Sequence, residues 1–138
     1  MLTGVRVLVA DDDVLLLDSV CEVFTRLGAN VARALNGGDL IDQLATVGPF
    51  DLIITDISMP WMSGLQAIRS TRAAGLATSA IVMTALSDTQ IPAQVKSSGA
   101  KTVLLRKPFK LSELEATASA LSGGHLKRTH HEGHSMVA

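Results

Sequence analysis

Several things are scarce in this sequence. A single cysteine, Cys21, is present among 138 residues, so no internal disulfide can form. A reducing compartment, the cytoplasm, is expected. On a helical pattern, Cys21 reads as a small apolar packing residue. Aromatic residues amount to 3% and tyrosine is absent, which argues against modules that stack nucleic-acid bases on aromatic rings. No apolar run approaches the roughly 20 residues that span a bilayer, so no membrane insertion is expected. The first residues, Met1-Leu2-Thr3-Gly4-Val5-Arg6, lack the charged segment and long apolar run of a secretory signal. A charge excess is missing too. Twelve basic residues against 13 acidic ones leave −1 at pH 7, so no bulk attraction to DNA is expected.

What the chain has is apolar content: 47% hydrophobic residues and a mean hydropathy of +0.33. At roughly 100–200 residues per domain it reads as one domain. Such a chain buries about two-thirds of its unfolded surface and needs no staples. The near-zero charge conceals halves of opposite sign. Residues 1–60 carry nine acids and three bases, and residues 61–138 carry four acids and nine bases. Three of the early acids, Asp11, Asp12 and Asp13, are consecutive.

Five short apolar runs read as strands: Val5–Ala10, Asn30–Leu35, Leu52–Thr55, Ala80–Ala85 and Thr102–Leu105. They do not alternate with polar residues, so both faces are expected to be covered, as in a parallel sheet. Helical spacing fills the intervals. Leu16, Val20, Val23 and Leu27 form one stripe, widened by Leu17, Cys21 and Phe24. Leu40, Ile41 and Leu44 mark a second helix, Leu65 and Ile68 a third, Ile91 and Val95 a fourth beside Pro92, and Leu114, Ala118 and Leu121 a fifth. Ser112 and Glu115 have the spacing of a capping box at the start of the last helix. Strictly alternating strands and helices imply right-handed crossovers and a doubly wound α/β sandwich. Gly123-Gly124 ends the folded unit at residue 122, and residues 123–138 read as a flexible tail.

In such sheets the functional site lies beyond the carboxyl ends of the strands. Asp11-Asp12-Asp13 follow the first strand, Asp56 the third, Thr84-Ala85 the fourth and Lys107-Pro108 the fifth. Each has an ordinary structural explanation by itself. An acidic row suits a helix N-terminus, an Asp after a strand often forms a turn, and a lone Thr or Lys is commonplace. Capping does not explain four such positions on one sheet edge. Oxygen ligands with spare coordination suit Mg²⁺, which binds one or two carboxylates and phosphate oxygens. A cation would relieve the carboxylate repulsion and keep Asp56 ionised as a nucleophile. The oxygens of a phosphoryl group on Asp56 would be met by the metal, Lys107 and Thr84.

The set resembles the receiver domain of two-component response regulators. The resemblance rests on Val7-Leu8-Val9-Ala10-Asp11-Asp12, Asp51-Leu52-Ile53-Ile54-Thr55-Asp56-Ile57-Ser58-Met59-Pro60, Met62-Ser63-Gly64-Leu65, Ile81-Val82-Met83-Thr84-Ala85, Ser98-Gly99-Ala100 and Lys107-Pro108-Phe109. It spans about residues 4–122. It implies a five-stranded parallel sheet of order 2-1-3-4-5. Carried over by position, Asp56 is the phosphoacceptor, and Asp11 and Asp12 are the acidic pair, with Asp12 nearest the metal. The Ser58 backbone carbonyl is a further ligand of Mg²⁺. Thr84 is the hydroxyl that moves toward the phosphoryl group. Lys107 is the ion-pairing lysine, preceding a cis proline at Pro108. Asp13 is an extra acid, facing solvent at the helix start. The partners implied are a histidine kinase or histidine phosphotransfer protein. A downstream protein is expected to bind the face of the fourth helix, fifth strand and fifth helix, made basic here by Lys96, Lys101, Arg106 and Lys110. The protein is expected to signal by protein contact or phosphorelay, not as a conventional enzyme and not by direct DNA binding, since the tail is too short for an output domain.

Besides the expected lack of an output domain, two positions depart from the family pattern. The usual aromatic on the fifth strand is missing. Counting back from Lys107 gives Leu104 for it, and counting forward from Gly99 gives Val103. The Gly99–Lys107 segment is one residue longer than usual, which suggests a bulge or longer turn near Lys101-Thr102. Leu86 stands where many members carry a polar residue, so slow self-dephosphorylation is expected. The four histidines, His125, His130, His131 and His134, all lie in the tail, where a flexible basic segment is the simpler reading than a transition-metal site. Trp61 reads equally as an exposed anchor or as turn packing. Two other functions stay open. One is a haloacid-dehalogenase-like phosphatase using Asp11, whose Asp11-x-Asp13 has part of that spacing, though Leu15 replaces the expected Thr or Val. The other is a receiver-like scaffold that is never phosphorylated. A nucleotide-binding or flavodoxin fold is not expected, because no Gly-rich or hydroxyl-rich loop follows the first strand.

Overall fold

The computed structural model describes residues 2–59, 63–73, 78–85, 92–93, 95 and 101–121. The elements along the chain are β1 (Arg6–Ala10), α1 (Val14–Arg26), β2 (Asn30–Ala34), α2 (Gly37–Thr46), β3 (Leu52–Asp56), α3 (Gly64–Ala73), β4 (Ser79–Thr84), β5 (Thr102–Arg106) and α4 (Leu111–Leu121). The five strands are parallel in the order β2-β1-β3-β4-β5, as the resemblance implies. The helix expected around Ile91 and Val95 lies mostly outside the described residues. Pro92, Ala93 and Val95 have helical backbone, and Val95 is buried.

Side chains of period two divide each central strand between two cores. Val7, Val9, Leu52, Ile54, Ile81 and Met83 pack with Leu17, Val20 and Phe24 of α1 and with Leu114 and Ala118 of α4. On the opposite face, Leu8, Ala10 and Ile53 meet Leu40 of α2 and Ala67 of α3. Farther along that face, Ala80 and Val82 meet Leu65, Ile68 and Val95. The chain is thus doubly wound, with helices on both faces. Each fully buried Leu or Ile contributes about 1.5–3 kcal/mol of transfer free energy.

Three expectations need correction. Leu16 and Val23 are only partly buried, and the deepest face of α1 is Leu17, Val20 and Phe24. The stripe is rotated toward the residues read as its flank. β2 is not covered on both faces: only Ala34 is buried, because the strand sits at the sheet edge. The cap of the last helix begins ahead of Ser112 and Glu115. The Lys110 backbone N–H donates to Glu113 Oε1 at 3.0 Å, the back-reaching half of a capping box. Cys21 is half-buried against the α1 core, and that burial pushes its thiol pKa up.

β5 pairs with β4 in unbroken register from Thr102 opposite Ala80 to Arg106 opposite Thr84. The Ala80 N–H donates to the Lys101 carbonyl at 2.9 Å. No bulge therefore occurs from Lys101 onward, and the extra residue after Gly99 falls outside the described residues.

Candidate functional site

All the strand-end residues singled out in the sequence meet at the carboxyl edge of the sheet. Parallel strands bring these ends together, and the pairing of Ala10 with Thr55 and of Asp56 with Met83 sets their level. The three consecutive aspartates have three different environments. Asp11 is fully buried. One of its oxygens accepts the Asp13 backbone N–H at 2.9 Å and the other accepts from Lys107 Nζ at 3.0 Å. Asp12 is exposed. Asp13 is the N-cap of α1, accepting the N–H groups of Leu15 at 3.1 Å and Leu16 at 3.3 Å. The helix-start explanation of the acidic row thus holds for Asp13 alone, which is exposed as expected.

Carboxylate oxygens of Asp11, Asp12 and Asp56 lie within 4.8 Å of one another. Unbalanced, such a group repels itself strongly. Lys107 supplies one positive charge, its Nζ lying 3.0 Å from Asp11 and 3.3 Å from Asp56. The Asp56 side chain is 11% exposed. Its Oδ1 accepts the Ser58 N–H at 3.3 Å. Burial raises the Asp56 pKa and the Asp11 charge adds to this, against the lowering by the Ser58 N–H and Lys107. For Lys107, burial alone favours the neutral amine. The hydrogen bond to Asp11 and the two carboxylate charges outweigh it, and the pKa is raised. The ammonium is therefore held charged beside an acid of raised pKa.

Thr84 ends β4 fully buried, and its carbonyl accepts the Lys107 N–H at 2.7 Å. This bond ties the β4 end to the Lys107–Pro108 segment, whose peptide is cis. Ser58 is exposed, two residues past Asp56. An opening of about 400 Å³ beside Lys107 is lined by Asp13, Leu16, Ala85, Pro108 and Phe109. The strand register resolves the two counts for the missing aromatic. Leu104 pairs with Val82 and packs against the α3-side cluster, whereas Val103 pairs with Ile81. Leu104 therefore shares the sheet face of Thr84, and Val103 faces the other way. Trp61, Leu86, Lys96 and the four histidines lie outside the described residues. Of the basic face, Lys101, Arg106 and Lys110 are described and exposed.

Sequence reasoning missed two contributors. Thr55 places its hydroxyl on the Asp56 carbonyl at 3.0 Å. Gly64, the first residue of α3, packs so closely behind them that a Cβ would lie 2.5 Å from that carbonyl oxygen. Gly64 was visible only as a member of a motif, and Thr55 read as an ordinary β-branched strand residue.

Fold and site together define a doubly wound α/β domain that gathers a nearly buried aspartate, two further carboxylates and a lysine at the carboxyl edge of its sheet. Comparison with known proteins agrees. The family model described as the response regulator receiver domain matches residues 7–119. The response regulator protein PmrA of Pseudomonas aeruginosa is 34% identical over 117 residues, covering 85% of this chain and 52% of that protein. The transcriptional regulatory protein DltR of Streptococcus agalactiae is 33% identical over 111 residues, 80% of this chain and 49% of its own length. The chain thus spans about half the length of the curated relatives it matches. Among solved structures, the Francisella response regulator 1452 receiver domain superposes with a TM-score of 0.78 at 27% identity, covering 88% of this chain and 99% of that one. The chemotaxis response regulator CheY4 of Vibrio cholerae gives 0.77 at 26%, covering 86% and 99%. The chain belongs to the response regulator receiver family of two-component signalling.

Proposed function

We propose that this receiver accepts a phosphoryl group on Asp56 from a phosphohistidine of a histidine kinase or phosphotransfer protein. The observation that carries the reading is the placement of Asp56, nearly buried, between the ammonium of Lys107 and the carboxylates of Asp11 and Asp12. An oxygen of Asp56 attacks phosphorus, the P–N bond breaks, and the imidazole leaves with the electron pair and takes up a proton. Lys107 neutralises an oxygen of the transferred group, and the buried Thr84 hydroxyl is the donor on the β4 side. The oxygen-only donor set suits a hard divalent cation. Asp12, Asp56 and the Ser58 carbonyl, with Asp11 behind them, are the groups that would hold Mg²⁺. Bound there, it would offset negative charge on the carboxylates and on the phosphoryl oxygens.

The added charge, roughly −1.5 to −2, biases a two-state equilibrium of the β4 end and the face built on β5 and α4. Output passes by contact with a protein at that face, whose Lys101, Arg106 and Lys110 are exposed. Leu104, an aliphatic side chain on the Thr84 face, takes the place of a rotating aromatic. Against the phosphatase reading, both Asp11 oxygens are engaged and the residue is fully buried, a poor setting for a nucleophile.

The test is incubation with a small phosphodonor and Mg²⁺, followed by intact-mass measurement. One phosphoryl group is gained by the wild type and none by Asp56→Asn. A gain that survives Asp56→Asn but is lost in Asp11→Asn supports the alternative. No gain from either a phosphodonor or a cognate kinase refutes phosphorylation altogether.

A further inference from the structure

Thr55 precedes Asp56 on β3 and is fully buried. Adjacent strand residues point to opposite faces, so its side chain lies on the α3 side, away from the carboxylates. Its hydroxyl nevertheless acts on Asp56 through the backbone. It donates to the Asp56 carbonyl at 3.0 Å. The other polar atom of the same peptide, the Ile57 N–H, donates across to the Met83 carbonyl of β4 at 2.9 Å. The peptide that follows Asp56 is therefore held at both ends. Gly64 closes over the first of these contacts. A Cβ there would lie 2.5 Å from the Asp56 carbonyl oxygen and 2.6 Å from Thr55 Oγ1. Immediately beyond the clamped peptide, the Ser58 N–H turns back to Asp56 Oδ1 at 3.3 Å.

We infer that Thr55 is a positioning residue for phosphoryl acceptance, its hydroxyl fixing the Asp56–Ile57 peptide and thereby the aim of the Asp56 carboxylate and the Ser58 backbone. The inference rests on Asp56 being the acceptor. A valine would fill the same space and favour the strand equally. It would set a methyl group against a buried carbonyl that has lost its donor. The peptide would then be free to tilt toward another partner. A small misplacement of a reacting atom is enough to slow a transfer that depends on alignment.

Two substitutions separate the hydroxyl from the shape. Thr55→Val removes the donor and keeps the volume, and Thr55→Ser keeps the donor and removes the methyl. Phosphorylation by a small phosphodonor with Mg²⁺ is followed by intact mass over time and donor concentration. Thr55→Val lowers the saturating rate about tenfold with the half-saturating donor concentration unchanged, while Thr55→Ser stays within about twofold of wild type. Amide hydrogen exchange supplies a readout independent of phosphorylation. The Ile57 and Ser58 amides exchange faster in Thr55→Val but not in Thr55→Ser, and those of Val7 and Leu8 in β1 are unchanged. Should Thr55→Val fail to fold, Thr55→Ala is read in the same two assays. The inference is overturned if Thr55→Val matches wild type in rate and exchange, or if Thr55→Ser is equally slow. A wild type that gains no phosphoryl group sinks the acceptor reading instead, and the exchange pattern alone then decides whether Thr55 holds the peptide.

Discussion

Replacing Lys107 by methionine removes the ammonium that faces both Asp11 and Asp56 while keeping an unbranched side chain of similar length. The Asp11 side chain is 1% exposed, that of Asp56 11% and that of Lys107 20%. Removing one partner of a fully buried pair costs about 3–5 kcal/mol, because the other charge is left uncompensated. Lys107 is partly solvated, so a loss at or just below the lower end of that range is expected, about 2–3 kcal/mol in metal-free protein at pH 7. For a domain of this size the loss lowers Tm by about 6–12 °C. The assay is urea denaturation in the presence of a chelator. A second substitution sharpens it. In the Lys107→Met background, Asp56→Asn removes a carboxylate that has lost its counterion, so it restores stability by more than it adds to wild type. The coupling in the double-mutant cycle is about 1–2 kcal/mol. Mg²⁺ should also rescue Lys107→Met by mass action, by about 2.7 kcal/mol at a hundred times its Kd. A Lys107→Met protein within about 0.5 kcal/mol of wild type, with no coupling to Asp56, would refute the charge balance described for this pocket.

Asp56→Asn alone is expected to stabilise the metal-free protein near neutral pH, because burial and the Asp11 charge disfavour the Asp56 carboxylate there. The folded pKa of Asp56 lies above the ordinary value of 3.8, so the native state binds the extra proton between the two. The stability that protonation confers is fully present below the unfolded value and is lost as pH rises through the folded one. Wild type therefore shows a fall in stability across that window in urea titrations, and Asp56→Asn lacks this component. Gly64→Ala places a methyl group 2.5 Å from the Asp56 carbonyl oxygen and 2.6 Å from Thr55 Oγ1. It costs about 2–3 kcal/mol through overpacking and slows phosphorylation, with equal stability and rate to wild type refuting the tight contact. Leu86→Glu shortens the lifetime of the phosphorylated protein, measured by mass decay after donor removal. An unchanged lifetime counts against the expectation that the apolar Leu86 slows hydrolysis.

Much of the architecture was legible because the central strands are continuous apolar runs. Leu52–Asp56 and Ser79–Thr84 are buried throughout, as runs of this length are in a parallel sheet covered on both faces. The edge strand misleads when grouped with them. Asn30–Ala34 carries Asn30 and Arg33, both exposed, and only Ala34 is buried, so its polar pair marks a strand on the rim. Asp11, Asp56, Thr84 and Lys107 were findable because strand ends converge in any parallel sheet. The separate jobs of Asp11 and Asp13 were harder to assign. They depend on where helix α1 begins, and that is set by the Asp13 cap rather than by the apolar stripe. Thr55 and Gly64 were hidden because a hydroxyl and a bare glycine meet at one backbone carbonyl only once the β3–α3 crossover has brought them together. The alternative counts to Leu104 and Val103 needed the register with β4, which no count along one strand can supply.

The Lys107–Asp11 pair joins residues 96 positions apart in the chain. During synthesis, Asp11, Asp12 and Asp56 all emerge long before the lysine that steadies them. A chain that ends after Thr84 carries the three carboxylates without the counterion that β5 brings, and so non-local a contact repays its loop-closure entropy only once it has formed. The charge balance of the pocket is therefore completed only by the fifth strand, and a chain shortened before Lys107 keeps the carboxylates without the ammonium that faces Asp11 and Asp56.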